Sequence, residues 1–140
     1  MDWEQIARKL FEGMPDALVV ADRKGIIRVW NGGAERIFGF AEGEALGQSL
    51  DIITPERLRE RHWIGYEATM RTGQTKYGAG DLLSVPAVRK DGAQISIQFS
   101  IVPLRGEDGD LQAVAAIMRD VTEDFEERKR LRRALGEMKA

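Results

Sequence analysis

The chain contains no cysteine, which excludes disulfides, thiolate metal sites, thiol nucleophiles and cysteinyl adducts to a cofactor. It has a single histidine, His62. With that one imidazole, no serine-centred elbow and no paired acidic cluster, nucleophilic and metal-assisted hydrolysis lack their parts, so catalysis is not expected. An excess of one charge is also absent: 21 Lys and Arg face 23 Asp and Glu, for a net charge of −2. Binding to a nucleic-acid backbone is therefore disfavoured. The one basic block, Arg128 to Arg133, follows Glu123, Asp124, Glu126 and Glu127 and reads as the balanced surface of a helix. No apolar run approaches the roughly 20 residues that cross a bilayer. The N-terminus opens on an acidic amphipathic segment and not on a basic one with a greasy core. No membrane partner and a cytoplasmic location are the expectations.

What is present suits one domain: 140 residues, 43% of them hydrophobic and 31% charged, enough to build a core without staples. A compact fold of this mass exposes roughly 7,300 Å².

Residues 2–13 place Trp3, Ile6, Ala7, Leu10 and Phe11 at helical spacing, and Gly13 with Pro15 ends the pattern. Trp3 and Phe11 form the docking stripe of this N-terminal helix. Residues 16–21 and 25–30 are apolar runs separated by Asp22-Arg23-Lys24-Gly25, which predicts two strands and a hairpin. Glycines then cut residues 31–50 into short helical pieces, Ala34 to Phe38 and Ala41 to Leu46. A longer helix is expected to start at Thr54 as N-cap with Pro55 at its first position, and to stop at Gly73. Along it Leu58, His62, Tyr66 and Met70 recur every four residues, so the only histidine lies on the stripe. Beyond Gly73 the period becomes two. Residues 77–88 read as a strand bulged at Gly78-Ala79-Gly80 and near Pro86. Asp91-Gly92 is a hairpin turn, and Ile95, Ile97, Phe99 and Ile101 alternate with polar residues. The glycine triplet is no phosphate loop, since no Gly-Lys-Ser or Gly-Lys-Thr follows it. Residues 111–121 form a last buried strand, and Thr122 caps a terminal helix with Glu123 and Asp124 in its first turn. The order predicts an α+β layer: a five-stranded antiparallel sheet of split connectivity that cups one face against helices and leaves a cavity.

These segments resemble a PAS domain over nearly the whole chain. The resemblance is carried by residues 16–21 with Gly25-Ile26-Ile27-Arg28-Val29-Trp30-Asn31, by Ala34-Glu35-Arg36-Ile37-Phe38-Gly39-Phe40 before Glu44-Ala45-Leu46-Gly47, by Arg89-Lys90-Asp91-Gly92, and by Arg119-Asp120-Val121-Thr122-Glu123. It implies the PAS fold, divided into an N-terminal amphipathic helix at 1–13, a sensor domain at 14–121 and a signalling helix at 122–140. It also implies a sensory, non-catalytic module, commonly dimeric. Its signal would leave through Asp120, Val121 and Thr122 toward an effector such as a histidine kinase or a cyclase.

The long helix is similar to that of PAS haem oxygen sensors in its Arg61-His62 step followed by Met70-Arg71-Thr72-Gly73. That similarity implies haem b, with His62 as the iron ligand through Nε2. Tyr66, Leu82, Leu83, Ile97, Phe99 and Ile101 would then line the pocket. Neutral imidazole suits haem iron, and an apolar wall excludes competing ligands. The sequence departs from those sensors at Ala79 and Asp81, where they carry a distal Arg or Met, and at Trp63 and Tyr66. Three alternatives stand beside haem: a hydrogen-bonded core histidine, a different small ligand, and an empty dimerisation module. A light, oxygen and voltage flavin domain is excluded by the missing cysteine. In the terminal helix Val121, Leu131, Leu135 and Met138 fall at a/d-like positions. A homodimer using Trp3 and Leu10 of the first helix and Leu131 and Leu135 of the last is expected; a last helix folded back on the sheet is the alternative.

Overall fold

The computed structural model describes residues 1–75 and 82–139. Five helices and five strands follow in the order α1 (Trp3–Gly13), β1 (Ala17–Asp22), β2 (Ile27–Trp30), α2 (Gly32–Phe38), α3 (Glu42–Ala45), α4 (Arg59–Thr72), β3 (Leu83–Val88), β4 (Gln94–Arg105), β5 (Leu111–Asp120) and α5 (Thr122–Lys139). Two 3-10 turns, Leu50–Ile53 and Glu56–Leu58, lead into α4. The strands form one antiparallel sheet in the order β2-β1-β5-β4-β3. All helices except α1 and α5 lie between strands two and three, the split connectivity that the sequence predicts.

Register fixes the faces, because directly opposed residues of an antiparallel pair point the same way. Leu83 opposes Phe99, Val85 opposes Ile97 and Ala87 opposes Ile95. Phe99 in turn opposes Met118, and Ile101 opposes Ala116, which opposes Val19. These residues make the inner face, and Val19, Ala87, Ile95, Ile97 and Met118 are buried in one core with Trp30, Phe38, Leu50 and Ile53. Pro86 makes no bulge: it stands in register opposite Ser96 on the edge strand. Ser96 turns its own N–H and carbonyl toward Thr122 and Val121, so the N–H that proline lacks would have faced the free edge. The expected bulge at 78–80 lies outside the described residues.

Helix α4 begins later than Thr54. The Thr54 hydroxyl donates to the Leu50 carbonyl at 2.9 Å and caps nothing, because a 3-10 turn intervenes. The far end of α4 matches expectation, with Gly73 left-handed at φ 72°. Thr122 is not the cap of α5 either. It is the first helical residue, and Asp120 Oδ1 accepts from its N–H at 2.9 Å.

The accessible surface is 9499 Å², well above the roughly 7,300 Å² of a compact chain this size. The excess has a visible source. Neither α1 nor α5 contains a buried residue, and every described side chain of α5 from Glu123 onward is exposed. Phe11 is half-buried while Trp3 is 76% exposed, so Trp3 does not dock on its own chain. The last helix does not fold back on the sheet.

Candidate functional site

The site is built on the apolar face of α4, where His62 and Tyr66 are half-buried and Met70 is buried, with the half-buried Leu58 of the preceding 3-10 turn in line with them. Two aromatic residues anchor that face. Trp63 Nε1 donates to Asp51 Oδ1 at 2.7 Å, and the Tyr66 hydroxyl donates to the Asp22 carbonyl at 2.6 Å. The indole of Trp63 lies over Gly25, where a Cβ would come within 2.1 Å of the ring. Glycine is required twice there, since its φ of 75° is also left-handed. Arg59 adds bonds to the carbonyls of Thr54 at 3.2 Å and Asp51 at 3.3 Å. The first half of α4 is thus clamped to the β1–β2 hairpin and to the first 3-10 turn.

His62 sits beside both anchors, its ring centroid 4.8 Å from Trp63 and 5.8 Å from Tyr66. Its Nδ1 is buried and has no hydrogen-bond partner among the described residues, which is not what a hydrogen-bonded core histidine would show there. Burial lowers the imidazole pKa below its ordinary value, opposed by the Asp51 carboxylate, and His62 is neutral at neutral pH. The Tyr66 phenol is pushed well above its usual range by burial and by Asp22, so it serves as a hydrogen-bond donor and not as a proton source. Among the described residues no three His, Asp or Glu side chains converge on a metal position. His62 could therefore hold only an ion whose other ligands come from elsewhere, as haem iron receives four from its porphyrin. Ligation through Nε2 leaves the proton on Nδ1, and the ring's orientation would rest on Trp63 and Tyr66 in place of the usual second hydrogen bond.

The expected pocket residues divide. Leu83, Ile97, Phe99 and Ile101 share the inner sheet face; Ile97 is buried and the other three are half-buried. Leu82, one residue out of phase, is 64% exposed. Ala79 and Asp81 lie outside the described residues. Trp63 enters the sequence reading only as a departure, yet it clamps the helix. No local sequence signal pairs it with Gly25, about 40 residues earlier in the chain.

A second cluster joins the sheet to α5. Ser96 N–H donates to Thr122 Oγ1 at 3.0 Å, Val121 N–H donates to the Ser96 carbonyl at 2.9 Å, and Asp120 Oδ1 accepts from the Thr122 backbone and hydroxyl. Asp120 stands opposite Ile97, so the expected transmission residues adjoin the inner face of the sheet.

A profile described as the PAS fold matches residues 11–125. The chain belongs to the PAS family. Among curated proteins it is 33% identical over 131 residues to the sensor protein FixL of Bradyrhizobium diazoefficiens, covering 94% of this chain and 25% of that protein. It is 28% identical over 131 residues to an uncharacterised protein of Azorhizobium caulinodans, covering 93% of this chain and 17% of that one. The PAS chain thus spans a quarter or less of these relatives. Among solved structures, the PAS domain of a protein from Colwellia psychrerythraea superposes with a TM-score of 0.72 at 25% identity, covering 87% of this chain and 99% of that one. An RNA-binding light-oxygen-voltage receptor superposes with a TM-score of 0.75 at 23% identity over 96% of this chain and 37% of that one, a likeness of fold. No helix among the described residues is long and apolar enough to cross a membrane.

Proposed function

We propose that this PAS domain is the sensory module of a cytoplasmic signal-transduction protein and that His62 is the axial ligand of haem b. The observation that carries the ligand is the neutral, half-buried imidazole packed beside Trp63 and Tyr66, with no partner to its buried Nδ1 among the described residues. The sensory role is supported by the similarity to FixL, itself named a sensor protein. In this reading His62 supplies the protein bond to iron, while Leu83, Ile97, Phe99 and Ile101 form the apolar wall that keeps water out. Trp63 and Tyr66 fix the imidazole by packing. Haem supplies a centre that binds a diatomic gas or changes redox state. The chain's own part is to turn a shift at His62 or at the wall into a change at Asp120, opposite Ile97, and so at Val121 and Thr122.

The output would be a homodimer in which the exposed apolar residues Trp3 and Leu10 of α1 and Leu131 and Leu135 of α5 meet their counterparts, with an effector such as a histidine kinase or a cyclase downstream. The working parts are residues 1–13, 14–121 and 122–140. The test is a spectrum of protein purified from cells supplied with a haem precursor. A Soret band that vanishes in His62→Ala, with unchanged far-ultraviolet circular dichroism, is expected. A colourless protein that also fails to take up added haemin overturns the haem assignment; a band retained in the variant overturns His62 as the ligand.

A further inference from the structure

At the other end of α4, away from His62, lies a cleft of about 500 Å³ walled by the last turn of the helix, the β1–β2 turn and the β4–β5 turn. Three arginines, Arg23, Arg71 and Arg105, are among its lining residues, with Asp110 the one acidic residue. Two of the arginines are fixed by backbone carbonyls. Arg23 donates to the Leu111 carbonyl and, at 3.3 Å, to that of Met70; Arg105 donates to Gly73 at 2.7 Å and to Gly109 at 3.4 Å. The bonds to Met70 and Gly73 place both guanidinium groups at the C-terminal end of α4, where the helix dipole favours a cation. These contacts use only part of each guanidinium, which has five donors. Arg71 makes no hydrogen bond, and none of the three arginines forms an ion pair, among the described residues.

The cleft is therefore a concave surface with a side-chain charge of +2 on a chain whose net charge is −2. The geometry points to a binding site for a small organic anion carrying two or more carboxylates. Separated guanidinium forks match separated carboxylates. The volume is that of a small-molecule pocket and far exceeds a single inorganic oxyanion. The site is independent of the haem reading, since none of its three arginines belongs to the α4 face around His62 or to the inner-face wall.

Isothermal titration calorimetry with citrate, at ionic strength held constant with sodium chloride, tests it on the whole chain. One citrate per chain is expected in the wild type, with Kd raised about tenfold or more in Arg71→Gln through loss of a charge-assisted pair. Arg71 is exposed and makes no hydrogen bond among the described residues, so this variant should fold as the wild type does. Arg105→Gln, checked by circular dichroism, should weaken binding similarly. No citrate heat above the salt control, or binding unchanged in both variants, would overturn the proposal. Equal binding of inorganic phosphate would overturn the polycarboxylate assignment in favour of a single-oxyanion site.

Discussion

Ser96 of β4 is hydrogen-bonded to the start of α5 on both sides of its peptide: its N–H reaches Thr122 Oγ1 at 3.0 Å, and its carbonyl accepts from Val121 at 2.9 Å. The joint extends the β4–β5 ladder by side chain where the backbone turns into a helix. From Glu123 onward the described α5 side chains are exposed, so the orientation of the helix depends heavily on these bonds. Thr122→Val keeps the shape and removes the acceptor, leaving the Ser96 N–H unpaired at a cost of about 1–2 kcal/mol. Faster amide exchange at Ser96 and Val121, with β1 and β5 unchanged and Thr122→Ser close to wild type, is the expected result. Wild-type exchange at both amides would show that the joint is held elsewhere.

The Trp63 indole occupies the space that a side chain at Gly25 would need. A methyl at Gly25 meets the indole at 2.1 Å on a backbone with φ 75°. In Gly25→Ala the indole must leave Asp51 and the backbone must strain, together about 2–4 kcal/mol. The urea midpoint should fall and tryptophan emission shift to the red, and Trp63→Phe should relieve most of the loss. A Gly25→Ala variant as stable as wild type would mean that Trp63 does not clamp the hairpin.

Asn31 is buried and bonded at every position: Oδ1 accepts from Leu18 at 2.8 Å and Ala34 at 2.9 Å, and Nδ2 donates to Phe11 at 3.0 Å and Asp16 at 3.1 Å. It ties α1, β1 and α2 together. Asn31→Ala orphans several part-buried groups at once, so a loss of roughly 3 kcal/mol or more is expected from chemical denaturation. Asn31→Asp should not rescue it, because a carboxylate would face the Phe11 and Asp16 carbonyls. A loss below about 1 kcal/mol would rule out this hub role.

The sheet was legible because its residues obey one local rule: Ile95, Ile97, Phe99 and Ile101 alternate with polar neighbours, and glycine and aspartate mark the turns. The α4 stripe was equally legible, since a spacing of four residues needs no knowledge of the partner. The start of α4 was not. Thr54-Pro55 is a sound local cap signal, but the Leu50 carbonyl competes for the hydroxyl, and that competition is set by the preceding 3-10 turn. Thr122 was misread for the same reason: its hydroxyl is taken by Ser96, 26 residues away. The Trp63–Gly25 and Tyr66–Asp22 contacts join residues about 40 apart in the chain, a distance at which spacing carries no information.

His62 should make the stability of the cofactor-free domain pH-dependent in a defined direction. Its folded pKa is depressed by burial below the ordinary 6.5, with Asp51 opposing. The unfolded chain therefore binds the proton first as pH falls. The stabilisation is complete above the unfolded value of 6.5 and is lost as pH drops from there through the lowered folded value. Thermal midpoints measured from about pH 7.5 to about 5.5 should be level at the upper end and decline below the histidine range. His62→Gln, which cannot titrate, should decline less; losses from carboxylates are common to both proteins and cancel in the difference. Parallel curves would show that the imidazole is as well solvated folded as unfolded, and would remove the neutral, desolvated side chain on which ligation to iron depends.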